Sequence, residues 1–152
     1  MKIAIASDTQ SFFMRREMNR YLRPTAHQIN NLGGLSQQET SLEQSQQEMR
    51  EALQNGTADR GILLVTSDQD VTFNQAGIRT ARCLDIVAAQ EIVDEDVNLL
   101  IMETDKMNKQ AMVETMLTFL AVTDVDMAAN SSLKPAFVSE QDVDTNQPGE
   151  NL

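Results

Sequence analysis

The chain has 152 residues, enough for one domain with a sizeable core, and its hydrophobic fraction of 41% is ordinary for a globular protein. A formal net charge of -11, from 23 acidic and 12 basic residues, argues against nucleic acid and anionic membrane as partners, because both require a basic footprint. The one cysteine, Cys83, excludes an internal disulfide and a cysteine-based zinc site and fits a reducing compartment.

With aromatics at 4% and no Trp, aliphatic side chains and nine Met must fill the core. Lys2 to Ser7 reads as a buried strand, ended by Asp8-Thr9. Its apolar run is too short for a signal peptide, and no window approaches a membrane span, so a cytoplasmic protein is expected. Thr9 or Ser11 is positioned to cap a helix whose apolar face carries Met14, Met18 and Leu22. That helix must stop near Arg23, before Pro24. A second strand fits His27 to Leu32, broken by Gly33-Gly34.

Leu42, Met49 and Leu53 mark the next helix, which stops at Asn55-Gly56. A third strand runs from Gly61 to Thr66. A polar loop then reaches Gly77, followed by a fourth strand from Ile78 to Cys83. A helix is expected from Asp85 to about Glu91, and a fifth strand over Asn98 to Met102. Asp105 is placed to cap a last helix with Met112, Met116 and Leu120 on one face. Strands alternating with helices predict an α/β fold: a three-layer α/β/α sandwich on a doubly wound, five-stranded parallel sheet of Rossmann-like type. The domain is expected to span 1–122, with 123–152 an acidic C-terminal extension, mobile at its end.

In such a sheet the ligand site lies outside the carboxyl ends of the strands. The loop after the third strand is therefore the place to look, and it is rich in Asp, Gln and Ser with no glycine before Gly77. Asp68 and Asp70 are candidate carboxylate bases, weighed against a solvated polar loop.

MKIAIASD, NLGG, ADRGILL, GIRTARCLD and DVNLLIM occur in this order along the chain. The ordered set resembles the family of type B ribose-5-phosphate isomerases and the A and B subunits of galactose-6-phosphate isomerase, over about residues 1–122. The resemblance implies aldose–ketose isomerisation of a phosphosugar through a cis-enediol, with no cofactor and no metal. It implies dimers or larger assemblies with the site at the subunit boundary. That chemistry needs a base, donors for the enediolate and cations for the phosphate.

Residue by residue, the match is partial. The family's Asp-His after the first strand is Asp8-Thr9 here, which leaves Asp8 as a candidate catalytic and substrate-binding carboxylate or a helix cap. The family's thiol and glycine-rich loop correspond to Val65 through Asp70. Ser67 and Asn74 are then the candidate substrate contacts, Asn74 matching a loop-closing Asn. A His-Asn pair ahead of the fifth strand corresponds to Asp94 and Glu95. His27, the only histidine, falls where the family places no catalytic group, and Cys83 is read as a small buried residue. The arginines are read as pairing with acids on solvated faces.

Three readings follow. The chain is a divergent family member with a degenerate site, working as a homodimer or as partner subunit to a paralogous chain. It is a non-catalytic small-molecule-binding or regulatory module on the same fold. Or it is an isomerase rebuilt around Asp68 or Asp70.

Overall fold

The computed structural model describes residues 1–83 and 96–123. Its elements are β1 (Lys2–Ser7), α1 (Phe12–Leu22), β2 (Gln28–Asn31), a 3-10 turn (Gln37–Glu39), α2 (Leu42–Gln54), β3 (Arg60–Val65), β4 (Thr80–Cys83), β5 (Leu99–Glu103) and α3 (Lys109–Thr123). The expected helix after Asp85 lies outside the described residues, as do Asp94, Glu95 and the acidic C-terminal segment. The chain divides into two units, Met1–Phe119 and Leu120–Leu152. The second is described only as the last turn of α3.

All four strand pairings are parallel, in the order β2-β1-β3-β5-β4. The chain leaves β1 towards β2 and then crosses back to β3, so the direction of winding reverses between β1 and β3. Right-handed crossovers to opposite sides of β1 place α1 and α2 on opposite faces of the sheet. An ion pair at 3.4 Å between Lys109 of α3 and Glu17 of α1 puts α3 on the α1 face. The doubly wound three-layer sandwich expected from the sequence is the observed fold.

The central strands are buried on both faces, which their continuous apolar runs require. Ala4, Ala6, Leu63, Val65, Leu99 and Ile101 pack with Met49 and Ala52 of α2. The alternate residues Ile3, Ile5, Ile62, Leu64, Leu100 and Met102 point the other way, towards the layer that supplies Met18, Leu22, Met112, Met116 and Phe119. Each such side chain contributes about 1.5–3 kcal/mol of transfer free energy when fully buried. Gly61 lets α2 close onto the sheet. A Cβ there would lie 2.6 Å from Met49 Sδ and 2.9 Å from Leu99 Cδ1.

Several helix signals differ from the sequence expectation. Neither Thr9 nor Ser11 caps α1 through its hydroxyl. Thr9 Oγ1 donates to Thr40 O at 2.5 Å, and the first turn is closed by Ser11 N–H donating to Asp8 Oδ1 at 2.8 Å. Met14 is half-buried while Phe12, Arg15, Met18 and Leu22 form the buried stripe. Asp105 does not cap α3. Asn108 Oδ1 does so, accepting Ala111 N–H at 2.8 Å.

The connection from β3 to β4 has no helix of its own. Parallel strands need a long crossover, usually helical. Here residues 66–79 make the crossover as an extended loop, with Val71 and Phe73 packed on the α2-face core. Arg50 lies over the Phe73 ring at 5.8 Å, and Gln54 Nε2 donates to Ala76 O at 3.4 Å, so α2 serves as the loop's backing. The loop's far end is set by Asn98, 7% exposed. Its Oδ1 accepts Arg79 N–H at 2.8 Å and its Nδ2 donates to Gly77 O at 2.8 Å. This turn delays β4 to Thr80, two residues beyond the expected start at Ile78. Among the described residues no helix is long and apolar enough to cross a membrane.

Asn98→Ala removes two part-buried hydrogen bonds and leaves the Arg79 N–H without its acceptor, and is expected to cost about 1–2 kcal/mol. Urea denaturation measures the loss. Asn98→Asp, which turns an oxygen towards Gly77 O, should lose stability too. A fully stable Asn98→Ala protein would contradict this role.

Candidate functional site at the carboxyl edge

The winding reverses between β1 and β3, and the carboxyl ends of the strands at such a reversal are the usual ligand position in open α/β sheets. Asp8 follows β1 and Thr66 follows β3, so the two meet at this point. Asp8 is 2% exposed, and both its oxygens are engaged. Oδ1 accepts Ser11 N–H; Oδ2 accepts Thr66 N–H at 2.9 Å and the Thr66 hydroxyl at 3.2 Å. A buried carboxylate needs such donors to offset the loss of water. Asp8 therefore acts here as the tie between two strands and the first turn of α1.

The Thr66 hydroxyl also lies 2.6 Å from Asp68 Oδ1, which brings a second carboxylate to the same oxygen. Ser67 turns the other way. Its N–H donates to Asp105 Oδ1 at 2.8 Å and its hydroxyl to Asp105 Oδ2 at 2.6 Å. These bonds hold the Asp105 carboxyl below the usual carboxylate range, the Ser67 hydroxyl being the largest cause. Ser11 Oγ and Thr104 Oγ1 are 2.8 Å apart, closing the edge between α1 and the end of β5.

Arg82 reaches the same loop. Its Nε lies 2.6 Å from Glu103 Oε2 and its Nη2 donates to Gln69 O at 3.2 Å. Arg15 is a second guanidinium near this edge, and it is buried rather than solvated, contrary to the expectation for the arginines. It donates to Leu32 O and, at 2.6 Å, to Gly34 O, and stacks 4.9 Å from the Phe12 ring centroid. Burial pushes its pKa down, opposed by the charge of Glu48, which itself accepts Gly33 N–H at 2.8 Å. Gly33, at φ +83°, is needed there: a Cβ would meet Ser45 Oγ at 2.8 Å and Arg15 Nη1 at 3.0 Å.

Of the sequence candidates, Asp8 and Asp68 meet at Thr66, while Ser67 is turned away to Asp105. Asp70 and Asn74 are exposed along the loop, and neither side chain makes a hydrogen bond to the described residues. His27 sits before β2, at the opposite edge of the sheet, and is buried. The side chain of Cys83 lies outside the described residues. Arg60 and Arg79 stand at the amino edge, Arg79 pairing with Asp96 at 3.5 Å. Thr66, Asp105 and the Arg82–Glu103 pair are the site residues that the sequence reading did not single out. Thr66 directly after an apolar run is the one visible signal among them. Among the described residues no group of three or more His, Cys, Asp or Glu side chains is placed to hold a metal ion.

The Ser67–Asp105 clamp predicts a pH response. A carboxyl with a depressed folded-state pKa stabilises the native state above its unfolded value. That contribution is lost as pH falls through the folded value. The Ser67 amide resonance should therefore titrate below the ordinary Asp range. Ser67→Ala should move the Asp105 titration upward, and an unmoved titration would remove the clamp as its cause.

The family described as ribose/galactose isomerase matches residues 3–132 of the chain. No curated protein sequence matches it. Among solved structures, the fold is similar to a ribose 5-phosphate isomerase from Thermotoga maritima, at 24% identity and a TM-score of 0.72, covering 79% of this chain and 86% of that one. It is similar to ribose-5-phosphate isomerase B of Clostridium thermocellum, at 22% identity and a TM-score of 0.72, over 79% and 84% of the two chains. The Mycoplasma genitalium ribose-5-phosphate isomerase B with bound ribulose-5-phosphate aligns at 16% identity and a TM-score of 0.66, over 78% of this chain and 82% of that one. With its match running from the first strand past the last helix, the chain belongs to the ribose/galactose isomerase family.

Proposed function

We propose that this chain is a divergent sugar-phosphate isomerase-family subunit that does not turn over a phosphosugar on its own. It works beside a paralogous chain that supplies the base and the phosphate-binding cations. The observation that carries this reading is the network at the carboxyl ends of β1 and β3. Asp8 is bound to Ser11 and Thr66, one oxygen of Asp68 to Thr66, and Ser67 to Asp105.

Aldose–ketose isomerisation of the ribose 5-phosphate or galactose 6-phosphate type develops negative charge on two adjacent oxygens and carries a phosphate besides. A carboxylate near an enediolate at a partly buried site costs of order 1 kcal/mol or more, and this edge presents several. The guanidiniums that reach the edge loops, Arg15 and Arg82, already hold backbone carbonyls and stand beside Glu48 and Glu103. Releasing either for a phosphate would leave those carbonyls without their donor.

The purified chain should show no isomerisation of ribose 5-phosphate or galactose 6-phosphate alone. It should gain turnover when co-expressed with a paralogous family chain that carries the thiol and glycine loop, with the two chains co-eluting. Turnover by the chain alone, abolished in a folded Asp68→Asn/Asp70→Asn double variant, would replace this reading with an isomerase rebuilt on those carboxylates.

The excess of carboxylates at the edge favours a second reading, a non-catalytic binding or regulatory module for a neutral or cationic small molecule. Thermal melting separates the two. On the second reading, pentose and hexose phosphates leave the melting temperature of the chain unchanged with or without a paralogue, while uncharged sugars or amines raise it. A shift produced by phosphosugars alone would count against the second reading.

A further inference from the structure

The carboxyl terminus of α2 carries the one Asn-Gly step of the sequence, Asn55-Gly56. Asn55 is the C-cap of the helix, and both residues are exposed. The Asn55 side chain is folded back over the chain in an Asx turn. Its Oδ1 accepts Thr57 N–H at 2.9 Å and also the Thr57 hydroxyl. The Gly56 N–H donates to no group among the described residues, so no hydrogen bond must break for that nitrogen to react. No heavy atom stands within 4 Å of the position a Gly56 Cβ would take, and Gly56 has φ +81°. The side-chain face of Gly56 is therefore open.

We propose that Asn55 is a site of spontaneous covalent modification, by ring closure of its side-chain amide onto Gly56. Hydroxide removes the Gly56 peptide proton, and the nitrogen bonds to Asn55 Cγ. Nδ2 leaves as ammonia, taking a proton from water. Water then opens the resulting succinimide at either carbonyl, giving aspartate or isoaspartate, with no oxidant or reductant involved. The two donors of Thr57 lie on the oxygen where negative charge builds as the ring closes, which favours that step. Asn55 has ψ 3°, so ring closure proceeds by rotation about its Cα–C bond, which brings the Gly56 nitrogen to Cγ.

The consequences follow from what the turn holds. A new carboxylate at position 55 meets the negative end of the α2 dipole. Isoaspartate lengthens the backbone ahead of a stretch that is stitched to β1. Lys2 Nζ donates to Gly56 O at 2.8 Å, Lys2 N–H to Asp59 Oδ2 at 2.9 Å, and Asp59 N–H to Lys2 O at 2.8 Å. Displacing these contacts loosens the amino edge between β1 and β3.

The test is incubation of the full native chain at neutral and mildly alkaline pH, with a parallel sample unfolded in urea, followed by peptide mapping. The peptide carrying Asn55 should convert ahead of the other asparagines, faster at the higher pH. It should give two products, one labelled by an isoaspartate methyltransferase, at a rate comparable to the unfolded sample. The melting temperature should fall as conversion proceeds, and Asn55→Gln should remove both the products and the fall. Conversion in the unfolded sample with an intact Asn55 in the native chain would overturn the proposal.

Discussion

The buried Asp8 carboxylate is the interaction on which the working edge of this molecule depends. It sits where the winding of the sheet reverses, and it satisfies backbone donors from two different directions. One is the first turn of α1 and the other is the residue that ends β3. A charge in that position is tolerated only while its donors remain in place. The entry angle of α1 and the exit of β3 are therefore coupled. The loop leaving β3 inherits this constraint and adds two of its own, Ser67 on Asp105 and Gln69 on Arg82. Ties from the ends of β1 and β5 and from β4 hold Thr66, Ser67 and Gln69.

The same economy governs the cations. Although the chain carries 12 Lys and Arg, the two arginines described near the carboxyl edge, Arg15 and Arg82, are engaged in internal contacts. Arg15 shows the principle most clearly. An arginine on a helix is usually a solvated surface residue, yet this one is buried and binds the carbonyls that follow β2. Its stem and ring contact with Phe12 fit the habit of Arg side chains to pack along apolar surface while the head finds acceptors. The cost of burial shows in its depressed pKa. Family membership and this internal engagement thus pull in different directions. The fold is that of sugar-phosphate isomerases, while polar groups of the edge bind one another.

The helix-free crossover from β3 to β4 adds a further layer. A loop can replace a crossover helix only if it hides some apolar surface and keeps its backbone satisfied. Val71 and Phe73 supply the first, packing beside α2. Asn98 and Arg82 supply part of the second. The positions between them, Asp70 and Asn74, are left facing outward. That is a geometric reason why candidates chosen from one polar segment do not converge on one point.

The local sequence determined most of the architecture. Apolar runs of strand length, Pro24 after α1, Gly33-Gly34 after β2 and Asn55-Gly56 after α2 each act within a few residues, so they can be read without knowing what lies opposite. Asp8 at the end of β1 and the polar character of the β3–β4 loop were legible for the same reason. Tertiary structure decided the pairings. That Asp105 binds Ser67 instead of capping α3, that Thr66 joins Asp8 to Asp68, that Arg15 is buried, and that Arg82 faces Glu103 all depend on strand order. The order β2-β1-β3-β5-β4 brings together residues 58 and 38 positions apart, and no local propensity carries that information. Side-chain hydrogen bonds are selected by proximity in space, and burial then sets which of them the fold must keep.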